Sequence, residues 1–177
     1  MKIKDAQSIT ESLTQTSKMP GHSYSLPAWA CQTGAKLSKI PGTPCFNCYA
    51  MKGNYARYPA IKRVQYKRLD SIKHPLWALA MAAQINSKKS KYFRWHDAGD
   101  IQSVKHLLKI PKEKIPKNLI IRLSGSKVDG KAPTCWPWTS TVTTKKATCP
   151  APKQGGKCLD CRRCWDRKVK NVKYGKH

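Results

Sequence analysis

Apolar residues recur at close to helical spacing at Ile61, Val64, Leu69 and Ile72, with Lys and Arg on the other faces, which predicts a helix over 60–72. Pro75 opens a second helix over 76–85, so rich in Ala, Leu and Met that extensive burial is expected. After a basic turn over 87–91, Tyr92-Phe93-Arg94-Trp95 reads as a short strand that breaks at His96-Asp97-Ala98-Gly99-Asp100. A brief helix over 101–110 and a linker over 111–116 lead to the best strand pattern in the chain, 118–124. Residues 125–138 read as irregular and 139–144 as β-prone. Residues 1–20 hold one short helix at most, because Ser and Thr are frequent there. The stretch 20–44 reads as loop, punctuated by Pro20-Gly21, Gly34, Pro41-Gly42 and Pro44. Strand, helix and strand in alternation predict a small α/β core with parallel strands. The expected organisation is one domain: an arm over 1–20, a core over 21–144 and an irregular cysteine-rich tail over 145–177.

Charge changes the picture more than length does. The 177 residues carry 35 basic against 9 acidic side chains, a formal net charge of +26 spread along the whole chain. That imbalance points to a polyanionic partner, a nucleotide or nucleic acid. The basic helix, with Lys62, Arg63, Lys67 and Arg68 around Tyr66, offers phosphate contact with aromatic stacking, or is a solvated face. No signal-peptide pattern opens the chain and no run reaches the ~18 apolar residues of a membrane span, so no membrane partner and a reducing, cytoplasmic setting are expected. There the eight cysteines are ligands rather than disulfides, four bridges in a secreted chain being the alternative.

Cys149, Cys158, Cys161 and Cys164 include a Cys-x2-Cys-x2-Cys ladder that presents several thiolates to one point. The spacing favours an iron–sulfur centre, with zinc as the alternative metal, since either accepts four sulfurs. Arg162 and Arg163 would offset the thiolate charge or reach outward to phosphate, and Trp165 would shield the site or simply pack. Cys31, Cys45 and Cys48 offer three further thiols. A 4Fe–4S cluster held by three thiolates keeps one iron open, the arrangement with which radical S-adenosylmethionine enzymes bind and cleave their cofactor. Cys45-x2-Cys48-Tyr49 resembles the second half of their Cys-x3-Cys-x2-Cys-aromatic loop, with Cys31 farther upstream. The alternative is one structural site shared by all seven cysteines.

His96, Asp97 and Asp100 bring two of the nine acids to a predicted strand end, where ligands of α/β sheets gather. Carboxylates there suit a cationic amino group or a ribose, and His96 suits a proton relay or cluster ligation. Asp100 equally suits capping a helix that starts at Ile101.

Four stretches in fixed order carry a family resemblance: Ser23-Tyr24-Ser25-Leu26-Pro27; Cys45-x2-Cys48-Tyr49-Ala50-x-Lys52-Gly53; Phe93-Arg94-Trp95-His96-Asp97-Ala98-Gly99-Asp100; and Cys149-Pro150-Ala151 with the ladder and Trp165. Over most of the chain they resemble the bacteriophage gene-product-eighty-eight family. The resemblance implies a truncated, radical S-adenosylmethionine-like partial barrel with an added cysteine-rich tail. It also implies a cluster loop at Cys45, Cys48 and Tyr49, an amino-group site at Asp97-Ala98-Gly99-Asp100, and further cofactor contacts from Arg122-Leu123-Ser124. Two departures stand out: the chain is short between Ile110 and Pro116, as though a strand–helix unit were missing, and Cys135 lies outside the family's cysteine pattern as a bystander or spare ligand. The expected protein is phage-encoded, acts in the host cytoplasm, binds one or two 4Fe–4S clusters, and uses S-adenosylmethionine and an electron donor to modify a nucleotide or nucleic acid. Two alternatives stand beside it. One is a non-catalytic zinc or iron–sulfur module that binds nucleic acid; the other is a small electron carrier that docks by charge on an acidic redox partner.

Overall fold

The computed structural model describes residues 1–41, 45–110, 123–128, 138–143 and 145–175, the side chains of 33, 123–128, 139 and 142 apart. Helix α1 (Ile3–Thr10) buries Ala6 and Thr10 and packs on α5 (Trp77–Ser87). A first sheet follows: β1 (Thr14–Gln15) pairs antiparallel with β2 (His22–Tyr24), which runs parallel to β3 (Phe93–Trp95). The stretch 20–44 is therefore not all loop. Besides β2 it holds a short helical turn at Ala28–Ala30 and helix α2 (Gln32–Leu37). Cys31 supplies the cap that a sequence reading seeks in Ser or Asp, its sulfur accepting the Gly34 N–H at 3.2 Å.

After α3 (Gly53–Arg57), the helix expected over 60–72 forms as α4 (Pro59–Ser71), with Pro59 in its first turn. Its buried side differs from the expected apolar stripe: Gln65 and Arg68 are buried while Ile61 is 36% exposed. Arg68 can be buried because both terminal nitrogens find acceptors, although Nε has none among the described residues. Nη1 donates to Ser25 Oγ at 3.0 Å, Nη2 to Thr14 Oγ1 at 2.9 Å and to Ser12 O, and the guanidinium covers the Tyr24 ring at 4.9 Å. Helix α5 is buried as its composition predicts, through Trp77, Ala80, Met81, Ala82, Gln84 and Ile85. Trp77, Met81 and Ile85 meet Tyr24, Leu26, Phe93 and Trp95 in the main core, and Tyr24 Oη donates to Thr10 O at 2.9 Å.

Helix α6 (Val104–Lys109) starts later than expected. Its cap is Ser103, whose Oγ accepts the His106 N–H at 3.1 Å; the Asp100 carboxylate accepts the Ile101 N–H at 2.7 Å, before the helix begins. The second sheet is wholly parallel, in the order β4 (Leu123–Val128), β5 (Thr139–Thr143), β6 (Asn171–Gly175). Strand β4 thus extends to Val128 where irregular chain was expected, while residues 111–122 and 129–137 lie outside the described residues. The tail is not irregular throughout: β6 pairs residue by residue with the β-branched run of β5. The architecture is mixed α/β, with one antiparallel pair, and among the described residues the two three-stranded sheets close no barrel. No helix among them is long and apolar enough to cross a membrane.

Candidate metal centre

The turn that ends β3 is fixed by backbone contacts. His96 N–H donates to Tyr24 O at 3.0 Å and Leu26 N–H to Ala98 O at 2.9 Å, which lays the turn along the chain leaving β2. Gly99 has φ +74°, and a Cβ there would come within 2.7 Å of Leu26 O, so the turn needs glycine for both conformation and space. His96, at φ 51°, occupies the left-handed region without being glycine. Its ring is 6% exposed and faces His106 with centroids 5.4 Å apart. Among the described residues neither His96 nitrogen has a hydrogen-bond partner, nor has His106 Nε2, while His106 Nδ1 accepts the Gln102 N–H at 3.2 Å. Burial, and then His106 itself, push His96 down to about 3; burial, and then Lys109, push His106 down to about 4. Both are neutral imidazoles at neutral pH.

Asp97 meets two tyrosines. Tyr55 Oη donates to Oδ2 at 2.8 Å and Tyr49 Oη to the Asp97 carbonyl, the two rings meeting edge-on at 6.3 Å. Burial raises both phenols, keeping them donors, and Asp97 Oδ1 is buried with no partner among the described residues.

Cys31, Cys45 and Cys48 gather beside this turn. Cys31 is 8% exposed and the other two are half-buried. Gly34 opens a gap between two of the sulfurs: a Cβ there would stand 2.9 Å from Cys31 Sγ and 3.9 Å from Cys45 Sγ. Cys45 is pushed up to about 11 by burial first and then by Cys31, Cys48 and Asp100, which places these three groups within electrostatic reach of Cys45. Asp100 is pushed up to about 6 by burial, against the pull of the Ile101 N–H. Thiols so arranged oppose each other's ionisation until a cation joins them, and a metal ion reverses that balance outright.

The second set is held against the first sheet. Cys158 N–H donates to Lys18 O at 2.8 Å, and Trp165 Nε1 to Phe93 O at 3.4 Å, while the Trp165 ring meets Tyr92 edge-on at 5.1 Å. Trp165 therefore packs on β3. Burial raises Cys149 and Cys158; Cys161 and Cys164 add to this and Arg94 counters it. Cys164 Sγ shares a hydrogen bond with Tyr174 Oη at 3.2 Å. Arg162, expected to offset thiolate charge, donates instead to the carbonyls of Leu159 and Cys161 and lies over Tyr92. A guanidinium that does act on Cys149 and Cys158 is Arg94, from β3.

Among the described residues no three His, Cys, Asp or Glu side chains converge closely enough to hold a single metal ion. The seven cysteines are thiols sorted into two neighbourhoods, Cys31, Cys45 and Cys48 near Asp100, and Cys149, Cys158, Cys161 and Cys164 near Arg94 and Tyr174. Tyr49 and Asp97 lie at the first, while His96 turns into the core. Ser124 sits in β4 opposite Ser140, in the other sheet, and Arg122 and Cys135 lie outside the described residues. Sequence reasoning missed Gly34, Tyr55, Arg94, His106 and Tyr174. The Cys-x2-Gly spacing is a local sign of Gly34; the others meet partners far along the chain and leave none.

A family model described as gene product 88 matches residues 2–117, which include the first cysteine set and the turn but stop before the second set. No curated protein and no solved structure matches the chain.

Proposed function

The chain belongs to the gene product 88 family, and from that premise we propose that it is a phage-encoded iron–sulfur protein of the host cytoplasm with two thiolate-held centres. The observation that carries this reading is the sorting of seven thiols into two neighbourhoods, in which burial first and neighbouring thiols after it raise Cys45, Cys149 and Cys158. The Cys-x2-Cys-x2-Cys ladder supports an iron–sulfur centre over zinc, since its spacing matches part of the bacterial ferredoxin pattern.

Cys31, Cys45 and Cys48 would hold the first cluster and Cys149, Cys158, Cys161 and Cys164 the second. A three-thiolate cluster would supply an open iron and the electron that S-adenosylmethionine chemistry needs. The chain's own part in that chemistry lies in the turn. Tyr55 fixes Asp97 Oδ2 and leaves buried Oδ1 for a cationic group such as the ammonium of S-adenosylmethionine. Tyr49 ties the cluster loop to the turn through the Asp97 carbonyl. Asp100, protonated in part near neutrality, stands within reach of Cys45. Arg122 and Ser124 would complete the cofactor contacts. The net charge of +26 supports a nucleotide or nucleic acid as the substrate modified.

Anaerobically purified protein should contain iron and sulfide, and its electron paramagnetic resonance signal should change on adding S-adenosylmethionine. Protein that takes up only zinc after anaerobic reconstitution would sink the iron–sulfur reading and favour a zinc-held nucleic-acid module. Iron and sulfide with a signal indifferent to S-adenosylmethionine would leave an electron carrier.

A further inference from the structure

Arg94 alternates with Phe93 and Trp95, which are buried in the main core, so its side chain turns to the opposite face of the first sheet. The cysteine-rich segment docks at that strand, through Trp165 on Phe93 O and Tyr92. The guanidinium stands 5.8 Å from the centroid of the Tyr174 ring, whose hydroxyl bonds Cys164 Sγ at 3.2 Å. It also lies within electrostatic reach of Tyr49, Tyr55 and Asp97, the groups that tie the first cysteine loop to the turn. One cation from a core strand thus has electrostatic neighbours both at Tyr174, the partner of a tail cysteine, and at the Tyr49–Asp97 turn.

We propose that Arg94 is a positioning residue shared by the two centres: it neutralises the charge of the metal–thiolate group in the tail and holds that group beside the Tyr49–Asp97 edge of the first site. The inference rests on the metal reading above but not on which metal binds. Four thiolates around a divalent zinc, or around an oxidised 4Fe–4S cluster, both make a net dianion. Such a charge, half-buried, is costly unless a cation meets it. Arg162 donates to backbone carbonyls and lies over Tyr92, whereas Arg94 counters the rise of Cys149 and Cys158 and stands at the Tyr174 ring. A guanidinium also suits the place better than an ammonium, since it can cover the Tyr174 ring while facing the sulfurs.

The test uses the full chain carrying Cys45→Ser and Cys48→Ser, so that bound metal reports on the tail set, with Arg94→Gln and Arg94→Lys added singly. Iron, sulfide and zinc content, the rate of metal release to a chelator, and the midpoint potential followed by electron paramagnetic resonance are read on each. With Gln, metal release should be about tenfold faster, the scale on which partners of metal ligands act. The midpoint should fall, because the lost positive charge no longer favours the reduced centre. Lys should restore most of both, and it keeps the test open where Gln does not fold. Release and midpoint unchanged in Arg94→Gln would overturn the proposal. A parent chain that takes up neither iron nor zinc would overturn the metal reading itself, which is a separate failure visible before any Arg94 variant is made.

Discussion

The two sheets of this protein are stabilised in different ways. The first is backed by a core in which Tyr24, Leu26, Trp77 and Met81 are fully buried, with Phe93 and Trp95 nearly so, and three aromatic rings meet at 5.9–6.4 Å. In the second, among the described residues, Val172 is the buried apolar side chain and the rest of the buried set is Ser140, Thr141 and Thr143. Beside these stand the parallel ladder of β5 and β6 and contacts such as Arg167 and Lys170 over the Trp138 ring. Metal binding by the adjoining thiols would add free energy on this side of the molecule. The difference teaches where stability comes from apolar area and where it is expected to come from coordination.

The comparison can be broken from either side. Trp77→Ala should have the largest effect, roughly 3–5 kcal/mol for truncating a fully buried aromatic, read as a lower urea midpoint. Next comes acid. His96 and His106, pushed down to about 3 and 4, contribute stability that is complete above their unfolded value near 6.5 and is lost as the pH falls through that value toward those two. Asp100, pushed up to about 6, acts in the opposite direction over a narrower span. Urea midpoints measured from pH 7.5 down to 4.5 should therefore fall, and His106→Gln should flatten the slope. Val172→Ala should cost about 1–2 kcal/mol, and the loss should be felt more after a chelator has stripped the metal than before. An equal loss with and without metal would mean that the second sheet stands on its own. The smallest effect on folding is expected for Gly34→Ala. Helix propensity favours Ala by up to ~1 kcal/mol, while its Cβ displaces Cys31 Sγ from 2.9 Å, so stability should barely move as iron in the first set falls.

Legibility in the sequence divides along similar lines. Helices α4 and α5 and strand β3 follow from periodicity, and the cysteine sets from spacing, because each is a local pattern. Arg68 is buried against expectation because its acceptors, Ser12 O, Thr14 Oγ1 and Ser25 Oγ, come from the two edges of β1 and β2, distant in sequence from α4. Helix α2 was hidden by Gly34 and by a sulfur acting as cap. Asp100 looked like a cap because Asp commonly is one; Ser103, three residues on, competes for the same task and starts the helix later. The pairing of Arg94 with Tyr174 joins the middle of the chain to its C-terminal strand, and no short window of sequence contains both.

Among the described residues strand β3 is an edge of its sheet. An uncovered edge offers its backbone to any passing strand and is a route to aggregation. Here the Phe93 carbonyl is taken by the Trp165 indole, so the cysteine-rich segment also acts as a lid on that edge. Loss of metal from this segment would then reach beyond chemistry: a chain that cannot keep its tail docked would present a sticky β-edge, and would be removed from solution by self-association before any missing activity was noticed.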